Sequence, residues 1–302
     1  MQALASRTRK RPRLIAIDRF PPRIASKHYV FVECDLTSPS ADQQLAQVFQ
    51  EYHCDTIVHA ALHSQPKRNT EYSHELQSIG TMYVLHAANA ANVRKLILCS
   101  TTEVYGAFPD NPLFLSEDHP LRGGELSTFL RDKIDVERQF ARYAKARPET
   151  IVTILRPSTI LGPKIRNYKT HLLKQPIIPT VLGFDPMVQF VHEQDVSRAL
   201  LAVIDHDARG AFNIVGDDVL PLSRAMALIG KPCIPIARPI LWHMTQLLWH
   251  MNIQHTPPLH IHFWQYPCVA DGTKARDTLG FHPVYSLRDV LLSFRESQVH
   301  AA

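Results

Sequence analysis

The feature that most constrains the fold is an alternation of short apolar runs with helical stretches through the first half of the chain. Leu14-Ile15-Ala16-Ile17 ends at Asp18, and Tyr29-Val30-Phe31-Val32 ends near Cys34-Asp35. Residues 42–52 read as a helix, and Thr56-Ile57-Val58-His59 is a third strand. A long helix is expected over 74–92, then the strand Lys95-Leu96-Ile97-Leu98-Cys99. A helix over 127–146 and the strand Ile151-Val152-Thr153-Ile154-Leu155 follow. Apolar runs of four to six residues separated by helices argue for a parallel sheet covered on both faces. The expected fold class is α/β, a doubly wound parallel sheet with ligands at the carboxyl ends of its strands.

After about residue 158 prolines cluster at Pro176, Pro179, Pro186, Pro232, Pro235, Pro239 and Pro257-Pro258. This part reads as a smaller lobe interleaved with a last strand, Phe212-Asn213-Ile214-Val215. Within it Leu241-Trp242-His243-Met244 recurs as Leu248-Trp249-His250-Met251. The offset of seven puts both tryptophans on one helix face. That face reads as a buried helix or one lining a substrate cleft, with a membrane-surface or partner-binding stripe as the other reading.

The chain has 302 residues, 45% hydrophobic and 20% charged, enough for one large α/β domain or a domain with a lobe. No run reaches the roughly 18 apolar residues of a spanning helix, so no transmembrane segment is expected. Cys34, Cys54, Cys99, Cys233 and Cys268 are scattered without a CxxC pair. That pattern suits reduced thiols and a cytoplasmic protein rather than a disulfide framework. The formal net charge is +5, and Arg7, Arg9, Lys10, Arg11 and Arg13 concentrate positive charge in one stretch. A solvated helix end, a nucleic-acid arm and a targeting presequence compete there. The first is taken, because a lone basic run is unspecific, and no nucleic-acid partner is expected. His255, His260 and His262 lie close together, but no acid or cysteine completes a ligand set, so no metal is expected.

The sequence carries an ordered set of motifs. Asp18 closes the first strand, and Asp35-Leu36-Thr37 follows the second. Val58-His59-Ala60-Ala61 ends the third in small residues, and Gly80-Thr81 enters a helix. Ser100-Thr101-Thr102-Glu103-Val104-Tyr105-Gly106 follows the next strand directly. Then come Leu155-Arg156-Pro157, Leu161-Gly162-Pro163, Phe190-Val191-His192-Glu193-Gln194-Asp195-Val196 and Phe212-Asn213-Ile214-Val215-Gly216. Asp271-Gly272-Thr273-Lys274-Ala275 and Leu279-Gly280-Phe281-His282-Pro283 close the set.

In that order the motifs resemble the extended short-chain dehydrogenase/reductase family, in its NAD-dependent epimerase/dehydratase branch, from about residue 14 to the C-terminal helix. The resemblance implies a Rossmann-like NAD-binding domain over 1–157 and a substrate-binding lobe over 158–302. It also implies a small-molecule substrate and, in many members, a homodimer. Substrates in that branch are commonly nucleotide sugars, with sterol-like secondary alcohols among the relatives; the Trp242/Trp249 helix leans toward a greasy one. An acid at the Asp18 position binds adenosine ribose hydroxyls and repels a 2′-phosphate, favouring NAD over NADP, an argument that the adjacent Arg19 weakens. Asp35, Leu36, Ala60, Ala61, Lys133 and Pro157 are the other expected cofactor contacts. Thr102, Glu103 and Asn167 are the expected substrate contacts, with Tyr168 and Lys169 beside them.

The family's chemistry needs a tyrosine to exchange the substrate proton, a lysine four residues on, and a Ser or Thr after a strand. Four-residue spacing puts the first two on one helix face. Thr101 and Lys133 occupy the latter two positions, and Glu137 matches the acid that often follows the lysine. The tyrosine position is Phe129, which keeps the shape and loses the proton carrier. No tyrosine lies between 106 and 142, and Gln77 stands where the family usually has asparagine.

A second departure is that no glycine precedes Gly80. The family cradles the cofactor pyrophosphate on an early glycine turn, where backbone approaches phosphate closely. The first strand, central in the expected 3-2-1-4-5 order, is also missing, and Gln2-Ala3-Leu4-Ala5 reads like the last turns of the helix after it. Either Met1 is not the native start or the gene is degenerate. A misplaced start does not explain Phe129. Weakened NAD binding and impaired chemistry are expected, with a non-catalytic dinucleotide- or partner-binding protein as the alternative.

Overall fold

The computed structural model describes residues 13–22, 29–253 and 257–299. Arg7, Arg9, Lys10, Arg11, the Gln2–Ala5 helix and His255 lie outside the described residues. Strands β1 (Leu14–Asp18) and β2 (Tyr29–Glu33) pair in parallel, Leu14 opposite Tyr29. Helix α1 (Ala41–Glu51) leads to β3 (Thr56–His59). Helix α2 (Thr70–His74) runs through a π-helical turn at Glu75–Ile79 into α3 (Gly80–Ala90). Then come β4 (Lys95–Cys99), α4 (Thr128–Ala146) and β5 (Ile151–Pro157). β3 pairs with β4 and β4 with β5, all in parallel.

Among the described residues no strand joins β1 to β3, and the β1–β2 pair stands as its own two-stranded sheet. Packing holds it in place. Ile15, Ile17 and Val32 lie against a core of Leu45 and Phe49 from α1, Val84 and Ala88 from α3, and Leu96 and Leu98 from β4. Buried apolar contact thus connects two sheets that share no backbone ladder there, at roughly 25 cal/mol for each Å² removed from water. Gly80 opens α3 where a Cβ would meet Leu36 Cβ at 2.9 Å, so the helix approaches the loop after β2 only because this residue lacks a side chain.

The lobe begins with β6 (Thr159–Leu161), α5 (Tyr168–Leu173), β7 (Ile178–Val181), β8 (Met187–Val188) and β9 (Phe190–His192). The chain then returns to the main sheet. Helix α6 (Glu193–Asp205) packs Ala199 and Val203 against Ile97 and Leu155. β10 (Gly210–Ile214) pairs with β5, giving the order β10-β5-β4-β3. Lys95 fixes α6 to the sheet: its buried ammonium donates to the carbonyls of Val203, Ile204 and His206 at 3.2, 3.0 and 3.0 Å. These carbonyls end a helix, where a cation satisfies both the orphan acceptors and the dipole.

The remaining elements are β11 (Leu220–Pro221), α7 (Leu222–Leu228), β12 (Cys233–Ile236), α8 (Arg238–His250), α9 (His260–Phe263), α10 (Thr273–Leu279) and α11 (Leu287–Val299). α10 returns Ala275 and Leu279 to the main-sheet core. A separate apolar cluster holds the lobe together, built on Leu172, Ile178, Phe190, Met226, Leu241 and Phe294. Of the readings of the Trp242/Trp249 helix, the buried one is corrected: within α8 only Leu241 and Thr245 are buried, and both tryptophans are half-exposed. Among the described residues no helix is long and apolar enough to cross a membrane.

Candidate functional site

The turn after β4 carries the first group of site residues. Thr101 caps a short 3₁₀ turn, Thr102–Tyr105, its hydroxyl accepting from the Glu103 N–H at 3.3 Å. Thr102 and Glu103 are buried. Gly106 ends the turn at φ +78°, where a Cβ would fall 2.4 Å from Phe108, so glycine is required.

Helix α4 packs against that turn and supplies the second group. Ser127 caps it, accepting from the Leu130 N–H at 3.2 Å. Phe129, Lys133 and Glu137 follow at four-residue intervals and all three are buried. The Lys133 ammonium lies 5.0 Å from the centre of the Phe129 ring and has no hydrogen-bond acceptor among the described residues. Burial pulls its pKa down to about 8, against the opposing pull of Glu103, Glu137 and Asp132. One turn further, Glu137 is fully engaged. It accepts from Ser100 Oγ at 2.5 Å and from Arg156 Nη2 at 2.6 Å. Arg156 also donates to the Tyr105 hydroxyl at 2.8 Å, and Tyr105 donates to Asn213 Oδ1 at 2.7 Å.

The expected cofactor contacts line the carboxyl edge of the strands. Asp18 is exposed at the end of β1, its carboxylate accepting from the Phe20 N–H at 3.3 Å. Asp35 accepts from the Thr37 N–H at 3.0 Å and from its hydroxyl at 2.8 Å, with Arg19 at 3.4 Å. Those hydrogen bonds, with help from Arg19, hold its pKa below the ordinary value. Leu36 is buried under Gly80. Ala60 and Ala61 are exposed beyond β3. Pro157 is the buried last residue of β5, opposite Ile214.

A dinucleotide fits part of this edge. Asp18 offers free carboxylate surface, Ala60 and Ala61 leave open space, and the unpaired Lys133 ammonium is a buried donor awaiting an acceptor such as a ribose hydroxyl.

The lobe closes the far side. Tyr168 donates to Glu103 Oε1 at 2.7 Å, and the Lys169 ammonium lies 2.5 Å from the same oxygen and 2.7 Å from Thr159 Oγ1. Burial, and then the Glu103 charge, push the Tyr168 phenol well above its ordinary pKa. A cavity of about 60 Å³ opens beyond Lys169, lined also by Gln189, His260, Phe263 and Cys268. Asn167, expected from sequence as a substrate contact, is the N-cap of α5. Its side-chain oxygen accepts from the Thr170 N–H at 2.8 Å and its N–H donates to Thr170 Oγ1 at 2.8 Å, forming a capping box for α5.

His63 was not singled out in the sequence, and Gln77 was marked there only as a departure from the family's asparagine. His63, four residues beyond the end of β3, has a buried Nε2 with no partner among the described residues. Burial, then the charges of Lys67 and Lys133, hold its pKa below the ordinary value. Its signal was only its distance from Ala60-Ala61, a loop where chemistry concentrates. Gln77 is fully buried in the π-helical turn, and neither its Oε1 nor its Nε2 has a partner among the described residues.

The chain matches the NAD dependent epimerase/dehydratase family over residues 2–215. It belongs to that family. A relative in Mycobacterium tuberculosis (strain ATCC 25618 / H37Rv), the uncharacterized protein Rv0501, is 31% identical over 284 residues, 91% of this chain and 74% of that protein. A UDP-glucose 4-epimerase of Erwinia amylovora is 30% identical over 138 residues, 44% of this chain and 39% of that protein. Among solved structures, the dTDP-glucose 4,6-dehydratase DesIV from Streptomyces venezuelae, with NAD bound, superposes with a TM-score of 0.73. It covers 95% of this chain and 88% of its own at 21% identity, a likeness that establishes the fold. The Rossmann-type α/β architecture expected from the motifs is therefore the family's own.

Proposed function

We propose that this chain carries a nicotinamide-dependent site for a secondary alcohol, on a nucleotide sugar or a sterol-like molecule, in which proton transfer is impaired. The observation that carries the reading is the Lys133 ammonium held over the Phe129 ring where the family chemistry needs a phenol. NAD would supply the hydride acceptor, bound by Asp18, Asp35, Leu36, Ala60, Ala61, Lys133 and Pro157. Thr101 holds the substrate oxygen, and Thr102, Glu103 and Asn167 stand on the substrate side. The nucleotide-sugar class is supported by what the epimerase and dehydratase relatives are named for.

A catalytic acid–base group contributes typically 10²–10⁴-fold, so turnover with Phe129 should be slow. Phe129→Tyr restores the phenol four residues before Lys133. We expect it to raise turnover of UDP- or dTDP-sugars with NAD by about 10²-fold or more. A rise that Lys133→Met abolishes supports the reading. A second reading, a non-catalytic binder, is favoured by the same phenylalanine. It wins if calorimetry shows ligand binding while Phe129→Tyr stays inert.

A further inference from the structure

We infer that the outer face of the lobe docks on an anionic lipid bilayer, with α8 lying in the plane of the interface. The inner side of α8 is fixed by buried Leu241 and Thr245. Its outer side presents Ile240, Met244, Leu247 and Met251, exposed by 62%, 40%, 59% and 58%. The intervals of four, three and four place them in one stripe. The parallel pair β7–β12, on which α8 packs, adds exposed Ile234, and exposed Leu182 follows directly after β7. An apolar surface of this extent on one element and its support is what interaction sites present, whereas scattered single residues are ordinary.

Charge decides the occupant. No Asp or Glu occurs between Glu149 and Asp185, nor between Asp218 and Asp271, and these two segments supply β7, β12 and α8. Exposed Arg238 opens α8, and Lys231 reaches the carbonyl of exposed Lys174 at the start of the strand pair. Asp185, the acid just beyond β7, is engaged by Ser223. Apolar residues rimmed by cations with acids excluded match an anionic headgroup layer over acyl chains. A second copy of the same face would instead bring like charges together. The inference does not depend on how the catalytic site is read.

The test uses the whole chain and vesicles of equal parts phosphatidylglycerol and phosphatidylcholine. Co-sedimentation is expected with these, with at least a tenfold loss on pure phosphatidylcholine and a marked loss in high salt. Leu247→Glu with Met251→Glu, both at exposed positions, should abolish binding with the circular dichroism unchanged. All three tryptophans, Trp242, Trp249 and Trp264, lie in the lobe, so brominated lipid should quench wild-type fluorescence without any substitution. Absence of sedimentation and quenching on anionic vesicles overturns the proposal. So does binding that the double variant leaves intact. A wild-type dimer that the double variant dissociates would assign the face to a second copy and overturn it equally.

Discussion

Lys133 and Glu137 sit one turn apart on the same buried face of α4, yet their surroundings are opposites. Glu137 is surrounded by donors from Ser100 and Arg156, and the chain of contacts runs on through Tyr105 to Asn213. Lys133 has a phenyl ring and no hydrogen-bond acceptor among the described residues, and its ammonium is held at a pKa of about 8 by burial. A satisfied buried network fixes a unique arrangement, whereas an unsatisfied buried charge is a cost that a fold retains where a ligand completes it. The lower end of α4 is thus scaffold. The upper end, at Lys133, is a buried cation facing a phenyl ring.

Breaking the scaffold end should have the largest effect. Arg156→Met leaves Glu137 buried with only Ser100 as partner, which should cost about 3–5 kcal/mol of stability by chemical denaturation. Replacing Glu137 and Arg156 together by apolar residues should cost far less, because no charge is then stranded. If the double variant is as unstable as the single one, packing and not the ion pair is what matters there.

The upper end should respond in the opposite direction. A lysine whose pKa falls from 10.5 to about 8 on folding destabilises the folded state while it is charged in both states, below about pH 8. Between about 8 and 10.5 the unfolded chain binds more protons, so stability rises with pH. Lys133→Met should therefore gain on the order of 3 kcal/mol at pH 7. The gain should close as the pH approaches 10.5. A variant less stable than the parent at pH 7 would show that Glu103, Glu137 and Asp132 compensate the ammonium fully.

The same contrast marks what could be read from sequence. β3 and β4 begin and end where the apolar runs do, each run forming one strand of the parallel sheet. α4 runs to Ala146 as its pattern indicated, starting after its Ser127 cap. The Phe129–Lys133 pair was legible because helical spacing is local. The Arg156–Glu137 and Lys169–Glu103 pairs were not, since each joins residues whose meeting depends on how strands and lobe pack. β6, β8 and β11 escaped for a related reason. They span two or three residues and exist only through partners far along the chain. The π-helical turn at Glu75–Ile79, with Gln77 inside it, likewise has no period of its own to detect.

The smallest effect sharpens the comparison at the lobe. From sequence Asn167 stands as a substrate contact, whereas its side-chain oxygen is engaged in the capping box with Thr170. Asn167→Ala should lose about 1 kcal/mol of stability, the ordinary worth of such a cap. The helix it caps carries Tyr168 and Lys169 to Glu103, so fraying there would loosen the partners of a buried carboxylate on the opposite wall of the cleft. Asn167→Ser keeps an oxygen for the cap and removes the amide donor. If Asn167 acts only as a cap, serine restores both stability and nucleotide-sugar affinity, measured by calorimetry on the Phe129→Tyr background. If affinity stays low while stability returns, the amide nitrogen, which takes no part in the capping box, is the group that meets the ligand, and the sequence expectation stands beside the cap.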